Sequence, residues 1–115
     1  MYHRDIRRPN ILRRRDNDKR FLIDWSDAST TPTGAAPHLS KEGHSPRVHE
    51  DNHGAEVDIW GIGYHLKELA SRSRPADAYG LEQIGKRWIE DYIITAEAAL
   101  DKIKVRNHYP FVIVY

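Results

Sequence analysis

Two carboxylates and one amide lie within the first 24 residues, in positions where they could share one site. Asp5 precedes a predicted β-hairpin, Asn10 opens its first arm, and Asp24 follows its second arm. Mg²⁺ prefers such oxygen ligands, usually one or two carboxylates together with substrate phosphates. A further carboxylate near the metal can accept the proton of an attacking hydroxyl. These residue types predict phosphoryl transfer, in which positioning and charge neutralisation dominate.

A β-hairpin is predicted to position these groups. Two short apolar runs, 11–12 and 21–23, flank a basic segment. The middle of that segment, 16–18, reads Asp-Asn-Asp, which is typical of a turn. We therefore expect two short antiparallel strands joined by a polar turn.

The register of this hairpin can be predicted by arithmetic. In an antiparallel pair, the numbers of opposed residues have a constant sum, which is 34 if the turn centres on Asn17. This register sets Ile11 opposite Ile23 and Asn10 opposite Asp24. The amide and one carboxylate would then lie together at the open end, where the preceding loop brings the other carboxylate.

The remainder of the chain is predicted to be a long polar loop followed by helices. Residues 29–54 are rich in Ser, Thr, Pro, Gly and His and show no apolar periodicity, which indicates a loop. Residues 55–71 predict a buried helix, because apolar residues cover more than one of its faces. Gly61 and Gly63 weaken this helix, which indicates close packing against another backbone.

Two further helices are predicted within residues 80–104. The first has an apolar stripe, and Thr95 is the predicted N-cap of the second. Residues 109–115 predict an apolar strand or tail. The stripe consists of Leu81, Ile84, Trp88 and Tyr92. The fold class expected is α+β, mainly α-helical with a short β-hairpin.

Length and composition limit the class of protein. A chain of 115 residues, 39% hydrophobic and 30% charged, forms one small domain. It contains no cysteine, which excludes disulfides, thiolate metal sites and cysteine nucleophiles. It has neither an apolar run of about 20 residues nor the apolar core of a signal peptide. We therefore expect a cytoplasmic protein without a membrane partner, with a nuclear location left open.

Basic residues are concentrated at the N-terminus. Residues 1–20 contain eight Lys or Arg and three Asp, a net charge of +5, whereas the whole chain has a net charge of +1. Such a segment attracts phosphate groups. Tyr2 is the only aromatic residue within it, which disfavours nucleic acid as a partner. A hydrated hairpin surface is the simpler interpretation.

Three motifs, in this order, resemble those of protein kinases. Residues 3–10, H-R-D-I-R-R-P-N, match the catalytic-loop signature H-R-D-x-x-x-x-N. Residues 23–26, I-D-W-S, lie where these kinases have D-F-G. Residues 58–63, D-I-W-G-I-G, resemble the D-x-W-x-x-G that opens the central C-lobe helix. The resemblance covers residues 2–70, and the combination is also similar to divergent kinase-like domains abundant in fungi.

The resemblance implies a protein-kinase C-lobe that transfers the γ-phosphoryl group of Mg-ATP to a Ser/Thr or Tyr hydroxyl of a protein substrate. Asp5 would be the catalytic base, and Arg7 stands where Ser/Thr kinases usually have a lysine that contacts the γ-phosphate. Asn10 and Asp24 would bind Mg²⁺ and, through it, ATP. Asp58 would hold the backbone of the catalytic loop.

The same comparison divides the single domain into three parts. Residues 1–28 would form the catalytic loop and the metal-binding hairpin. Residues 29–54 would be the activation-loop-like segment, and residues 55–115 the helical C-lobe. No Gly-rich loop, strand lysine or partner glutamate precedes the catalytic loop. We therefore expect a truncated kinase domain without its nucleotide-binding N-lobe and with little activity alone.

Several positions depart from the kinase pattern. Trp25-Ser26 replaces Phe-Gly after the metal aspartate. Ser45-Pro46-Arg47 stands where A-P-E is expected, and Ile93 or Ile94 replaces the arginine that pairs with its glutamate. Both halves of that buried salt bridge are thus replaced together, which avoids an unpaired buried charge.

Parts of the sequence also fit three other functions. A non-catalytic, pseudokinase-like binding module for a partner protein would retain the C-lobe surface without the chemistry. Residues 22–25, L-I-D-W, also resemble aminoglycoside and choline kinases, although the D-I-W-G helix favours protein kinases. Residues 49–53 match the H-E-x-x-H motif of zinc peptidases. Asp-Asn within that motif and Gly54 after it disfavour the helix that zinc binding requires, so a polar loop is predicted.

Overall fold

Two helices and a two-stranded antiparallel hairpin make up the fold in the computed structural model. The structure describes residues 1–90 together with Thr95, Glu97 and Ala98. Within these residues the α+β class is confirmed. The strands are β1 (Ile11–Arg13) and β2 (Arg20–Leu22), the helices are α1 (Glu56–Ala70) and α2 (Pro75–Glu90), and two 3₁₀ turns span Arg8–Asn10 and Pro46–His49.

The hairpin forms where it was predicted, but its register differs by one residue. Leu12 lies opposite Phe21, so that opposed numbers sum to 33. The turn causes the difference: Asp18 adopts a left-handed φ of 61°, and the Arg14 amide donates to the Lys19 carbonyl at 2.8 Å. The turn therefore centres between two residues rather than on one.

This register changes the partner of Asn10. Its carbonyl accepts a hydrogen bond from the Ile23 amide at 2.9 Å, so Asn10 lies opposite Ile23 and not opposite Asp24. The predicted pairing of Asn10 with Asp24 is therefore wrong. Asp24 is the next residue along the chain and lies just beyond this backbone hydrogen bond.

Two of the basic residues of the hairpin form local ion pairs. Arg13 pairs with Asp18, and Arg14 Nη2 lies 2.7 Å from Asp16 Oδ2. All four side chains are exposed, so each pair contributes at most about 1 kcal/mol. This arrangement favours the interpretation of the basic segment as a hydrated surface.

The two helices bury the main apolar core. Ile59 and Leu66 of α1 pack with Trp88 of α2, and Leu81 and Ile84 pack against this cluster from the partly buried edge of α2. The predicted buried helix and the stripe of the next helix are confirmed, except that Tyr92 lies outside the described residues. No described helix has the length and apolarity needed to cross a membrane.

Helix α2 begins five residues earlier than predicted, at Pro75. A proline at the first helical position loses no hydrogen bond, and Asp77 in the first turn interacts favourably with the helix dipole. The proline and the aspartate therefore mark the start of α2 in the sequence. Beyond α2, the Thr95 hydroxyl accepts a hydrogen bond from the Ala98 amide at 3.1 Å, which confirms Thr95 as an N-cap.

Glycines allow the backbones to approach closely, as predicted. A Cβ on Gly61 would lie 2.8 Å from the Ile6 carbonyl oxygen, so α1 contacts the loop that precedes the hairpin. A Cβ on Gly63 would lie 2.9 Å from the Gly85 oxygen, where α1 crosses α2. Glycine lowers helix propensity at positions 61 and 63, where the close backbone contacts leave no room for a Cβ atom.

We expect the Gly85→Ala variant to lose about 2 kcal/mol of unfolding free energy. Its Cβ would lie 2.5 Å from the Gly63 oxygen and 3.0 Å from the Lys67 nitrogen, both backbone atoms, so the helices must separate. The overlap outweighs the gain in helix propensity, about 1 kcal/mol. Urea denaturation followed by circular dichroism measures the change.

Gly34→Ala is the matched control, because a Cβ there meets no heavy atom within 4 Å. Its unfolding free energy should change by no more than about 0.5 kcal/mol. Equal stabilities of the Gly85→Ala variant and the wild type would contradict the packing described here.

The segment 29–54 is a loop, as predicted, and has its own small core. Ala36, Leu39 and Val48 are buried together with Val57 of α1. The Thr33 hydroxyl donates to the His53 carbonyl, and the Ala36 amide donates to the Val48 carbonyl at 2.9 Å. The hydrogen bonds order the segment internally, and the apolar contact with Val57 holds it against α1; it contains one 3₁₀ turn and no strand or α-helix.

Candidate active site

Asp58, in the first turn of α1, holds the backbone of the loop that precedes the hairpin. Its Oδ2 accepts a hydrogen bond from the His3 amide at 2.8 Å, and its Oδ1 accepts one from the Arg4 amide at 2.7 Å. Burial raises the pKa of Asp58, and these two bonds oppose the rise. Asp58 therefore makes the backbone contact that the kinase resemblance implies.

His3 connects this loop to the hairpin. Its side chain is fully buried; Nε2 donates to the Ile23 carbonyl at 2.9 Å, and Nδ1 accepts from the Asp5 amide at 3.3 Å. A single neutral tautomer, with the proton on Nε2, satisfies both contacts. The ring also packs edge-on against Trp25, with centroids 4.6 Å apart. His3 is therefore a positioning residue, which the sequence alone does not mark although His3 opens the matched signature.

Two residues at the site have left-handed backbone conformations. Arg4 has a φ of 68° and Asp24 a φ of 59°. Such a conformation costs about 1–2 kcal/mol for a residue other than glycine, and strained residues cluster at functional sites. The Arg4 guanidinium stabilises its position by donating to the carbonyls of Asp27 and Gly34.

Asp5 is the most densely contacted carboxylate of the site. It is only 4% exposed, and its Oδ1 lies 2.8 Å from Arg7 Nε and 2.8 Å from His44 Nε2. Its Oδ2 accepts a hydrogen bond from Asn10 Nδ2 at 2.9 Å. The two predicted catalytic residues are thus in direct contact. His44 was not singled out from the sequence, because a lone histidine in a polar loop shows no spacing that marks it.

The orientation of the Asn10 side chain follows from its neighbours. Nδ2 lies 2.9 Å from both the Asp5 carbonyl and the Asp5 carboxylate, and both are acceptors. The nitrogen must therefore face Asp5, and the amide oxygen points the other way. No residue in the described part of the chain donates to that oxygen, so it can serve as a metal ligand.

Asp24 is exposed and ionised at neutral pH. The Ser26 hydroxyl donates to its Oδ1 at 2.6 Å. Hydrogen bonds from the Ser26 side chain and backbone lower the pKa of Asp24, and the positive charge of Arg7 lowers it further. The serine that replaces the expected glycine therefore holds one carboxylate oxygen and leaves the other available.

The predicted site residues are brought together to different degrees. The Asp5 carboxylate contacts the side chains of both Arg7 and Asn10. Asp24 makes no hydrogen bond to Asp5 or Asn10. Among the residues that the structure describes, no three His, Cys, Asp or Glu side chains are grouped to hold a metal. Mg²⁺ bound by Asn10 and Asp24 would therefore need substrate phosphates or water to complete its coordination.

Arg47, which stands where a glutamate was expected, has a carboxylate partner on α1. Its Nε lies 3.4 Å from Oε1 of Glu56, whose side chain is 11% exposed. Glu56 also accepts a hydrogen bond from the Gly54 amide at 2.9 Å. The reversed charge at position 47 is thus paired within the fold.

Residues 49–53 do not form the helix that a zinc peptidase requires. The 3₁₀ turn ends at His49, and Asn52 adopts a left-handed φ of 61°. His53 is buried, and its Nδ1 lies 2.8 Å from the Glu50 carbonyl. The prediction of a polar loop before α1 is confirmed.

Comparison with known proteins shows partial similarity. No family model matches the chain, and no solved structure matches it. Part of the chain is similar to Crinkler effector protein 8 from Phytophthora infestans. The two are 35% identical over 69 residues, which is 56% of this chain and 12% of that relative. The likeness is therefore to a small part of a much longer protein.

Proposed function

We propose that this chain is a protein-kinase-like C-lobe, whose reaction is transfer of the γ-phosphoryl group of Mg-ATP to a Ser/Thr or Tyr hydroxyl of a protein. The position of Asn10 is the observation that carries the proposal. Its Nδ2 binds Asp5 at 2.9 Å, and its oxygen points away from Asp5. Asn10 thereby places a metal-binding oxygen next to the proton acceptor Asp5. Phosphoryl transfer requires a metal ion and a proton acceptor close together.

The contacts of each residue support a role in this reaction. Asp5 would accept the proton of the attacking hydroxyl. Asn10 and Asp24 would bind Mg²⁺, which bridges and neutralises the phosphates of ATP. Arg7 is half-exposed while its Nε lies beside Asp5, so the outer part of its guanidinium is available to the transferred phosphate.

A non-catalytic binding module is the second candidate. Two observations favour it: Asp5 is almost fully buried beneath His44, and Ser26 occupies one oxygen of Asp24. The name of the relative describes an effector and specifies no reaction, so it favours neither candidate. Metal-nucleotide binding and phosphoryl transfer have to be measured separately.

We expect Mn²⁺ with ATP to bind at the open end of the hairpin. Mn²⁺ replaces Mg²⁺ on oxygen ligands and broadens nearby NMR signals, so the Asn10 side-chain amide and the backbone amide of Asp24 should broaden first. Asp24→Asn removes one charged ligand and should weaken Mn-ATP binding by about tenfold or more.

Asp16→Asn is the matched control for this experiment. Asp16 is an exposed carboxylate on the same hairpin, in the turn at its other end, where it pairs with Arg14. Its replacement should leave Mn-ATP affinity unchanged. Broadening confined to the turn, with Asn10 and Asp24 unaffected, would contradict the metal site.

A further inference from the structure

The Asp5 carboxylate is covered by a histidine from the loop 29–54. His44 Nε2 lies 2.8 Å from Asp5 Oδ1, and the residues are 6% and 4% exposed. His44 Nδ1 faces the Ser40 carbonyl at 2.9 Å, which can only accept. The Ser40 hydroxyl donates to the Glu42 carbonyl at 2.7 Å, so its proton is not directed at the ring.

These contacts require a proton between His44 and Asp5. Since Nδ1 must donate to the Ser40 carbonyl, either Nε2 also carries a proton or Asp5 does. In both cases the proton lies in the hydrogen bond between His44 Nε2 and Asp5 Oδ1. Oδ1 cannot then accept a proton from a substrate hydroxyl until His44 moves away.

Among the described residues, a single hydrogen bond joins residues 40–44 of this loop, which we name the tip, to the rest of the domain. It is the one between His44 and Asp5. Leu39 directly precedes the tip and Val48 lies four residues beyond it, and both are buried in the small core. Gly43 has a φ of 79°, and a Cβ there would touch only Tyr64, at 3.8 Å.

We propose that the tip is an autoinhibitory latch, closed by the contact of His44 with Asp5. Because Leu39 and Val48 anchor both of its ends, the tip can open without disrupting the core. The closed state buries Asp5, and the open state exposes it to an acceptor hydroxyl. The inhibitory meaning rests on the proposed role of Asp5 as the base, whereas the opening itself concerns only the accessibility of a carboxylate.

Carbodiimide labelling with an amine, followed by mass spectrometry, measures that accessibility residue by residue. Asp24 is the exposed reference, and Asp58, bonded to two amides, reports global unfolding. In the His44→Ala variant we expect Asp5 to be labelled at least about tenfold faster relative to Asp24, with Asp58 still protected. His44→Gln, whose amide nitrogen can reach the position of Nε2, should restore most of the protection.

His38→Ala is the matched control. His38 lies in the same loop as His44 and also pairs with a carboxylate, that of Asp27. It should leave Asp5 as protected as in the wild type. Equal Asp5 labelling in the wild type and in the His44→Ala variant would overturn the latch.

A urea series on the wild-type chain tests the latch even if the His44→Ala variant unfolds. We expect Asp5 to become labelled at urea concentrations that leave Asp58 protected, because the tip opens before the domain unfolds. Labelling of both residues in parallel would overturn the proposal. Neither measurement uses nucleotide. If His44→Ala exposes Asp5 but the protein transfers no phosphoryl group, the latch proposal stands and the proposed function is contradicted.

Discussion

Replacing Asp5 by asparagine is expected to lower phosphoryl transfer from Mg-ATP by about 10²–10⁴-fold, the usual contribution of a general base. Asparagine keeps an oxygen that can accept from Arg7, and the size of the side chain hardly changes. It cannot take up the proton of an attacking hydroxyl. Transfer of labelled γ-phosphate to a mixture of Ser-, Thr- and Tyr-containing peptides measures the effect.

Asp27→Asn is the control for this prediction. Asp27 lies three residues beyond Asp24 and pairs with His38, outside the contacts of Asp5. Its replacement should leave the transfer rate within about twofold of the wild type. Equal rates of transfer by the Asp5→Asn variant and the wild type would contradict the assignment of the base. Mn-ATP binding without any transfer by the wild type would favour the binding module.

Replacing Asp58 by alanine is expected to lower the free energy of unfolding by about 3 kcal/mol. The change leaves the amides of His3 and Arg4 without their acceptor, and each unsatisfied buried amide costs about 1–3 kcal/mol. Asp58→Asn should lose roughly half as much, because one oxygen remains to accept one amide. Urea denaturation followed by circular dichroism gives these values.

Asp77→Ala is the control for Asp58→Ala. Asp77 occupies the corresponding first turn of α2 and pairs with the exposed Arg74. Its loss should cost no more than about 1 kcal/mol. If Asp58→Ala destabilised the protein no more than Asp77→Ala does, the backbone of the candidate active-site loop would not depend on α1.

Much of the fold was predictable because it depends on short-range patterns. The buried helix α1 follows from apolar residues on several faces, and Thr95 follows from its residue type ahead of a helical pattern. Gly61 and Gly63 indicated close packing because glycine in a helix costs free energy that only such contacts offset. Each of these inferences needs only residues within a few turns of one another.

The sequence by itself determined which groups at the candidate site are near one another along the chain. Asp5, Arg7 and Asn10 lie within six residues, and a loop that short keeps them in contact. The tertiary structure decided the rest. One left-handed residue, Asp18, shifted the hairpin so that Asn10 faces Ile23.

The tertiary structure also decided that His44 lies against Asp5, although 39 residues separate them. The path of the loop between them depends on its small core of Ala36, Leu39 and Val48 packed on α1. A loop without periodicity carries no local pattern that specifies such a path. Its contacts are set by which buried side chains it can anchor, and that is a property of the folded chain as a whole.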